Sequence, residues 1–375
     1  MAVVRPFRPL RYDEAVAGPL SSLVAPPYDV IGPEQREALL GRSPYNVVHL
    51  TLPDSDDEAA ASLADWRERG VLVCDADPAC WWLAQEYVGP DGVARLREGF
   101  VVALRLEPYE NRVVLPHERT HAAPKEGRLR LLRATRTQLE PLFFLWDGTV
   151  EVEGLGEPEL SADEGGVVSR LWRLESKFAE ALAEELADAQ LLIADGHHRY
   201  ETALAFHAED GSEASAWLLA VIVPTGQEGL TIFPTHRIAQ SAGSASGTSI
   251  EPPRENLPGP VLYRAGRYEL LAGDGSLDPE VVDRVGPGGV TYTPSRDEAV
   301  ATVDRGEAEA AFLLRPTRIE DVWSVARRGE VMPQKSTFFY PKLTSGLLML
   351  PIDVGSTESK GSGGVGFAGA GAETD

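Results

Sequence analysis

Residues 191–207 have the sequence LLIADGHHRYETALAFH, and this stretch decides the fold. The apolar run 191–193 is typical of a buried strand. Gly196 lets the backbone turn sharply or approach a ligand closely, because it has no Cβ. Residues 200–207 then have the composition and spacing of a helix. The order strand, tight turn, helix predicts an α/β protein.

Strand-like and helix-like segments alternate on both sides of this turn. The apolar runs 99–106 and 217–223 have the length and composition of buried strands. Between Leu174 and Ala187, a leucine or phenylalanine recurs every four positions, which makes one apolar stripe on a helix. We therefore expect an α/β (α+β) fold in which mixed segments surround the central turn.

Three stretches interrupt these segments. Residues 151–166 are acidic and glycine-rich, and residues 241–259 combine small side chains with prolines, so both are expected to be connections. The last residues are mostly glycine, serine, alanine and threonine and cannot build a core. The predicted organisation is an N-terminal α/β region at 1–150, a region carrying the turn at 167–240, a C-terminal α/β region at 260–352 and a disordered tail at 355–375.

Composition limits the possible functions. The 375 residues carry a formal charge of −23, which argues against DNA as a partner, because DNA-binding surfaces are usually basic. Only Cys74 and Cys80 occur, too few for a disulfide framework. The chain has neither an apolar run long enough to span a membrane nor a secretory signal at its start, so we expect a cytoplasmic protein.

The turn itself has the chemistry of an anion site. A helix that begins after Gly196 would direct unpaired N–H groups and a partial positive charge at the turn. Arg199 can donate to phosphate oxygens, and His197 and His198 can donate or move a proton near neutral pH. We predict that Asp195, His197 and His198 are catalytic and that Gly196 and Arg199 bind phosphate. The alternative is that Asp195 only caps the helix and the histidines satisfy local backbone groups.

The chain resembles a bacterial and archaeal family of unknown function with a ParB-like signature. The resemblance covers about residues 5–352 and is carried by several segments in a fixed order. These segments are APPYDVI (25–31), NVVH (46–49), PHERT (116–120), PK (124–125), ADGHHRY (194–200), PTHR (234–237) and KSTFFYPK (335–342).

This resemblance implies a ParB/sulfiredoxin-like core around residues 190–210. The ParB-like relatives include nucleotide-binding partition proteins, ATP-using sulfiredoxins and free serine kinases. They share a nucleotide or phosphate at the turn that matches Asp195–Arg199. The resemblance therefore implies nucleotide binding more strongly than it implies any one reaction.

A second constellation, His117-Glu118-Arg119-Thr120-His121, fits the metalloprotease pattern H-E-x-x-H. That chemistry needs both histidines on one face of a stable helix, whereas Pro116 and Pro124 leave room for about two turns. We therefore favour a loop in which Glu118 is a base or a Mg²⁺ ligand. A metal-dependent hydrolase that uses His117, Glu118 and His121 remains an alternative.

Further cations and hydroxyls complete the predicted site. We expect Lys125, Arg128, His236 and Arg237 to bind phosphate or nucleotide, since they follow the PHERT motif or a predicted strand end. His117, Lys335 and Thr337 are expected on the substrate side, and Asp195 and Glu118 are the expected Mg²⁺ ligands.

The leading hypothesis is an enzyme that binds ATP or ADP with Mg²⁺ and transfers a phosphoryl group to or from a small molecule. Such transfer depends on positioning and charge neutralisation, which the predicted cations would supply. The rival hypothesis is a non-catalytic, ParB-like switch that responds to a nucleotide.

Overall fold

The computed structural model describes residues 1–119, 122–149, 152–253 and 256–352, and the statements below concern these residues. Within them the chain has 21 strands and ten α-helices. The strands are β1 (Val4–Arg5), β2 (Leu10–Tyr12), β3 (Leu72–Cys74), β4 (Trp81–Val88), β5 (Ala94–Arg105), β6 (Val114–Leu115), β7 (Thr137–Gln138), β8 (Leu142–Trp146), β9 (Leu160–Glu164), β10 (Val167–Arg173), β11 (Leu191–Asp195), β12 (Trp217–Pro224), β13 (Thr231–Phe233), β14 (His236–Ser241), β15 (Thr248–Ile250), β16 (Val261–Arg264), β17 (Arg267–Leu270), β18 (Gly288–Thr293), β19 (Ala310–Leu313), β20 (Phe338–Tyr340) and β21 (Leu350–Pro351). The helices are α1 (Glu14–Ala17), α2 (Pro33–Arg42), α3 (Val48–Thr51), α4 (Asp56–Glu68), α5 (Ala122–Thr135), α6 (Ser176–Leu186), α7 (His197–Asp210), α8 (Asp278–Val285), α9 (Arg296–Asp304) and α10 (Ile319–Arg327).

A nine-stranded mixed sheet, the first sheet, carries the central turn. Its strand order is β6-β11-β8-β12-β5-β4-β10-β9, and β1 pairs with β5 outside this path. β11 runs parallel to β6 and antiparallel to β8, and the turn follows its last residue. The predicted strand, turn and helix are therefore confirmed as β11, Gly196 and α7.

Both faces of the first sheet are buried, which explains why its central strands are continuous apolar runs. In β5, Phe100 and Val102 point into one core, and Val101 and Ala103 point into the other. Helices α6 and α7 cover the first of these cores. Helix α4 and the C-terminal segment 339–350 cover the second core.

A six-stranded antiparallel sheet, the second sheet, has the order β15-β17-β16-β19-β14-β18. Helix α8 packs Val281 and Val282 on one face of it, and α9 packs Ala299 and Val303 on the other. The chain then returns to the first sheet, because Val322 in α10 lies in the core over that sheet. This return places residues 335–342 beside the central turn.

Two predicted connections contain regular structure. The acidic stretch 151–166 includes β9, which pairs with β10, and 241–259 includes β15 at an edge of the second sheet. The alternation of Leu160 and Ala162 toward the core makes β9 a strand despite its acidic composition.

The first sheet takes its strands from residues 4–224, so the predicted regions 1–150 and 167–240 both contribute to it. The predicted tail at 355–375 lies outside the described residues. In the part of the chain that the structure describes, none of the helices has the length and apolar character that a membrane span requires.

Candidate functional site

A cleft of about 490 Å³ opens beside the turn that follows β11. We call it the first cleft. Its walls come from six separate parts of the chain, which only the fold brings together. They are Tyr28–Val30, Glu118–Arg119, Ala194–Arg199, Thr235, Tyr292–Pro294, and the C-terminal residues Lys335, Thr337, Phe338 and Lys342.

Gly196 forms the junction between β11 and α7. Its φ of 98° lies in the left-handed region that favours glycine, and a Cβ there would lie 3.2 Å from the Arg199 guanidinium. Gly196 is the N-cap of α7, and no side chain caps this helix. The alternative in which Asp195 caps the helix is therefore wrong. The first turn of α7 begins at the cleft with its positive dipole end uncapped.

Asp195 is engaged by two cations instead. Its Oδ2 accepts from Arg199 Nη2 at 2.7 Å, and its Oδ1 accepts from Lys342 Nζ. Burial alone would raise the pKa of Asp195, but Lys342 and Arg199 outweigh burial and hold this pKa at about 2. Asp195 therefore orients two cations here, and each of its oxygens already accepts one hydrogen bond from a cation.

His117 and His197 are in contact with each other: His197 lines the cleft, and His117 lies behind it. His117 Nδ1 donates to the Ile193 carbonyl oxygen at 2.7 Å, so its Nε2 is free to accept from the Thr337 hydroxyl at 3.0 Å. His197 Nε2 accepts from the His117 backbone N–H at 3.2 Å. Burial lowers the pKa of His117 to about 4 and that of His197 well below its ordinary value.

These bonds determine what Thr337 offers a ligand. The proton of its hydroxyl is donated to His117, which is neutral at physiological pH, so its oxygen has only lone pairs left for the cleft. Thr337 lines the cleft, whereas His117 is fully buried and acts through Thr337. His117 and Thr337, which were both predicted on the substrate side, are therefore joined by a hydrogen bond.

Glu118 is a cleft carboxylate that keeps its oxygens available. Among the residues that the structure describes, its side chain has no hydrogen-bond or ion-pair partner. Burial raises the pKa of Glu118, and Lys335 and Lys342 oppose this increase. A partly desolvated carboxylate beside two lysines suits a proton acceptor or a ligand for a cation.

Arg128 supports a wall of the cleft from behind. Its guanidinium lies 3.9 Å from the centre of the Tyr28 ring and donates to the Thr51 carbonyl oxygen at 2.8 Å. The Tyr28 backbone N–H donates to Glu140 at 2.9 Å. Arg128 is therefore outside the cleft that it was predicted to line, because Tyr28 lies between them.

Three other predicted phosphate ligands also lie elsewhere. Lys125 forms an ion pair with Glu201 at 3.3 Å on the packed faces of α5 and α7. Arg237 is buried in the second sheet, where it pairs with Asp283. His236 is buried at the start of β14 and lines a different cleft. None of these three residues lines the first cleft, and of the PTHR motif only Thr235 does so.

The metalloprotease pattern also lacks its geometry. His117 lies before α5, which begins at Ala122, so His117 is not on a helix. Both of its ring nitrogens are already bonded, to Ile193 and Thr337. His121 lies outside the described residues. In this arrangement neither ring nitrogen of His117 is free, whereas a zinc ligand needs a free ring nitrogen.

Tyr28, Asp29 and Lys342 line the cleft but were not assigned to it from the sequence. All three lie within the motif segments APPYDVI and KSTFFYPK, which carried the family resemblance. Their placement depends on long-range packing: Tyr28 bonds to Glu140, and Lys342 bonds to Asp195 across 147 residues. The indication in the sequence was that these residues lie within the two motif segments.

A comparison with known protein families identifies the family of this chain. The family described as "Protein of unknown function (DUF1015)" matches residues 4–252. The chain belongs to this family. The match covers the first sheet, the turn and the start of the second sheet, and it confirms the predicted membership of a family of unknown function. Comparison with curated proteins gave no match.

Several solved structures are similar to this DUF1015 protein. A free serine kinase in complex with AMP is 15% identical, with 66% of this chain and 92% of that chain covered and a TM-score of 0.38. SbnI with a C-terminal truncation, from Staphylococcus aureus, is 11% identical, with 66% and 87% covered and a TM-score of 0.41. A conserved hypothetical protein from Pyrococcus furiosus is 14% identical, with 66% and 95% covered and a TM-score of 0.35.

Proposed function

We propose that the protein is an enzyme that binds ATP or ADP with Mg²⁺ in the first cleft and transfers a phosphoryl group to or from a small molecule. One observation carries this proposal. The uncapped start of α7, the cations Arg199, Lys335 and Lys342, and the available carboxylate Glu118 all converge on one cleft.

We place the phosphate groups of the nucleotide beside the turn that follows β11. An uncapped helix start offers backbone N–H groups and a partial positive charge to an anion. Arg199 and Lys342 are held in place by Asp195, so they need little reorganisation when the charge of a transferred phosphoryl group develops. Lys335 is exposed at the rim and makes no ion pair with any described residue, so it can contact a phosphate directly.

We assign the groups that act on the acceptor molecule and on Mg²⁺ to Glu118 and Thr337. Glu118 can take the proton of an acceptor hydroxyl, because its raised pKa brings it closer to neutral pH. Mg²⁺, when bound, neutralises phosphate charge, and the carboxylate of Glu118 and the lone pairs of Thr337 are oxygen ligands of the type that it prefers. The ParB-like switch would need neither group, so their presence favours the enzyme.

The test is thermal unfolding with ATP, ADP and pyrophosphate, with and without Mg²⁺. At a ligand concentration one hundred times the Kd, bound ligand adds about 2.7 kcal/mol to the free energy of unfolding, so the Tm of the wild type should rise by a few degrees. Lys335→Ala should weaken binding by about tenfold, since it removes one charge-assisted contact. The matched control is Lys177→Ala, because Lys177 is exposed on α6 and does not line the cleft.

If no nucleotide or pyrophosphate raises the Tm of the wild type, the first cleft is not a phosphate site and the proposal fails. If both lysine variants keep the wild-type response, the ligand binds somewhere else. If the nucleotide does bind in the first cleft, turnover of ATP by the wild type distinguishes an enzyme from a switch. A switch would bind the nucleotide without consuming it.

A further inference from the structure

The hydroxyl of Thr337 lines the first cleft with a base directly behind it. Its proton is donated to His117 Nε2 at 3.0 Å, and His117 Nδ1 donates in turn to the Ile193 carbonyl oxygen at 2.7 Å. The hydroxyl, the imidazole and the carbonyl thus form a chain in which a third group orients the base. A hydroxyl, a base and an orienting group within hydrogen-bond reach are the structural signature of an activated nucleophile.

The scaffold fixes the hydroxyl and the base relative to each other, although they are 220 residues apart in the chain. The carbonyl oxygen of His117 accepts from the Met332 backbone N–H at 2.8 Å. Ser336, which precedes Thr337, is buried, and its carbonyl oxygen accepts from the Thr317 hydroxyl at 2.7 Å. The hydroxyl therefore needs little ordering before it reacts, which lowers the entropic cost of an attack.

The same contacts lead to the place where we put the phosphate groups. His197, the first residue of α7, accepts from the His117 backbone N–H at 3.2 Å, and the centres of the two imidazole rings are 4.7 Å apart. Lys335 and Lys342 line the same cleft as Thr337. The Thr337 oxygen has two lone pairs, so it keeps one for an attack when the other contacts Mg²⁺.

The low basicity of His117 is compatible with such an attack. Burial lowers the pKa of His117 to about 4, whereas Asp195 acts to raise it. The negative charges of a bound triphosphate would act in the same direction as Asp195. In the loose transition state of phosphoryl transfer, the attacking oxygen forms its bond late and gives up its proton late. A hydroxyl that is already bonded to phosphorus is acidic, so a weak base can take this proton.

We infer that Thr337 is a nucleophile that carries the phosphoryl group, as phosphothreonine, between the nucleotide and the acceptor; this rests on the proposed phosphoryl transfer. The Thr337 oxygen bonds to the γ-phosphorus of ATP while the bond from that phosphorus to the bridging oxygen breaks. ADP leaves with the electron pair, and the hydroxyl proton moves to His117 Nε2. The acceptor hydroxyl then attacks the phosphothreonine, Glu118 takes its proton, and His117 returns a proton to the Thr337 oxygen.

Incubation with ATP and Mg²⁺ without an acceptor tests the inference, because the phosphothreonine then accumulates. Intact-protein mass spectrometry should show the gain of one phosphoryl group, and peptide mapping should place this group on Thr337. Thr337→Val keeps the shape of the side chain but removes the nucleophile, so this variant should not be phosphorylated. Thr337→Ser keeps a hydroxyl and should be phosphorylated at position 337.

Thr235→Val is the matched control for the position of the hydroxyl. Thr235 lines the same cleft, but its hydroxyl has no hydrogen-bond partner among the described residues and therefore no base beside it. This variant should be phosphorylated on Thr337 like the wild type.

His117→Gln tests the base. The new amide oxygen can accept from the Thr337 hydroxyl but cannot take its proton, so phosphorylation should slow by about 10²- to 10⁴-fold. Because His117 is buried, an increase in the Tm of this variant with pyrophosphate verifies that it is folded and still binds phosphate.

The outcomes separate this inference from the proposed function. If ATP binds and is consumed but no phosphoryl group is found on Thr337, transfer to the acceptor is direct, and only this inference is overturned. Phosphorylation of Thr235 in place of Thr337, or an unchanged rate in His117→Gln, also overturns it. If no nucleotide raises the Tm of the wild type, the proposed function fails and this inference fails with it.

Discussion

The two clefts are built in opposite ways. In the first cleft Asp195 and Arg199 form a buried ion pair, 12% and 10% exposed. In the larger cleft beside His236, of about 880 Å³, Arg318 is 73% exposed, and Asp297 and Asp321 line the wall without an ion pair to any described residue. The first cleft thus contains an electrostatic network that belongs to the core of the protein, whereas the larger cleft carries exposed charges such as Arg318 and Asp297.

This difference bears on function. A fixed network stabilises charge that develops during a reaction, because it does not need to reorganise. The charges of the larger cleft are not held in such a network, because Asp297 and Asp321 have no ion pair with a described residue. We therefore assign the proposed chemistry to the first cleft.

The largest expected effect tests this division at Glu118. Glu118→Gln keeps the size of the side chain but removes the proton acceptor, so turnover of ATP should fall by about 10²- to 10⁴-fold while the nucleotide still raises the Tm. Arg318→Ala should leave this turnover unchanged at saturating acceptor. Equal loss of turnover in the two variants would contradict the division of roles.

The next effect concerns stability. Lys342→Met leaves the buried carboxylate of Asp195 with Arg199 alone, and losing one partner of a buried ion pair should lower the free energy of unfolding by about 3–5 kcal/mol. Lys335→Met, in the same cleft but exposed, should change it by less than about 0.5 kcal/mol. Denaturant unfolding measures both, and similar values would show that the Asp195 network is not part of the core.

The smallest effect is a shift in pH dependence. If Glu118 accepts the proton, turnover rises with pH through its raised pKa. Lys335 lowers that pKa, so Lys335→Met should move the acid limb of the pH–rate profile to higher pH. A limb that stays in place, or moves to lower pH, would exclude Glu118 as the group that titrates there.

The sequence was most informative about features that depend on residues close together in the chain. The strand, the glycine turn and the helix at residues 191–207 were predicted because periodicity and backbone conformation are local properties. The same holds for the helix at 174–187, found as α6, and for the runs 99–106 and 217–223, found as β5 and β12. The acidic composition of residues 151–166 did not indicate β9, because the pairing of β9 with β10 decides the conformation of this strand.

The site was predictable in part. Glu118, Lys335 and Thr337 were selected by residue type within motif segments, and all three line the first cleft. Residue type could not distinguish Lys335, which is exposed at the rim, from Lys125, which pairs with Glu201. It also could not show that Arg237 is directed into the second sheet toward Asp283.

By itself, then, the sequence determined the α/β class, the turn at Gly196 and the helix that follows, since each depends on residues a few positions apart. Only the tertiary structure decided which distant side chains meet that turn. Lys342 reaches Asp195 across 147 residues, and His236 faces a cleft that no continuous motif encodes. The reason is physical: a side chain's partners and its pKa are set by burial and by the groups that the fold packs around it, not by its neighbours along the chain.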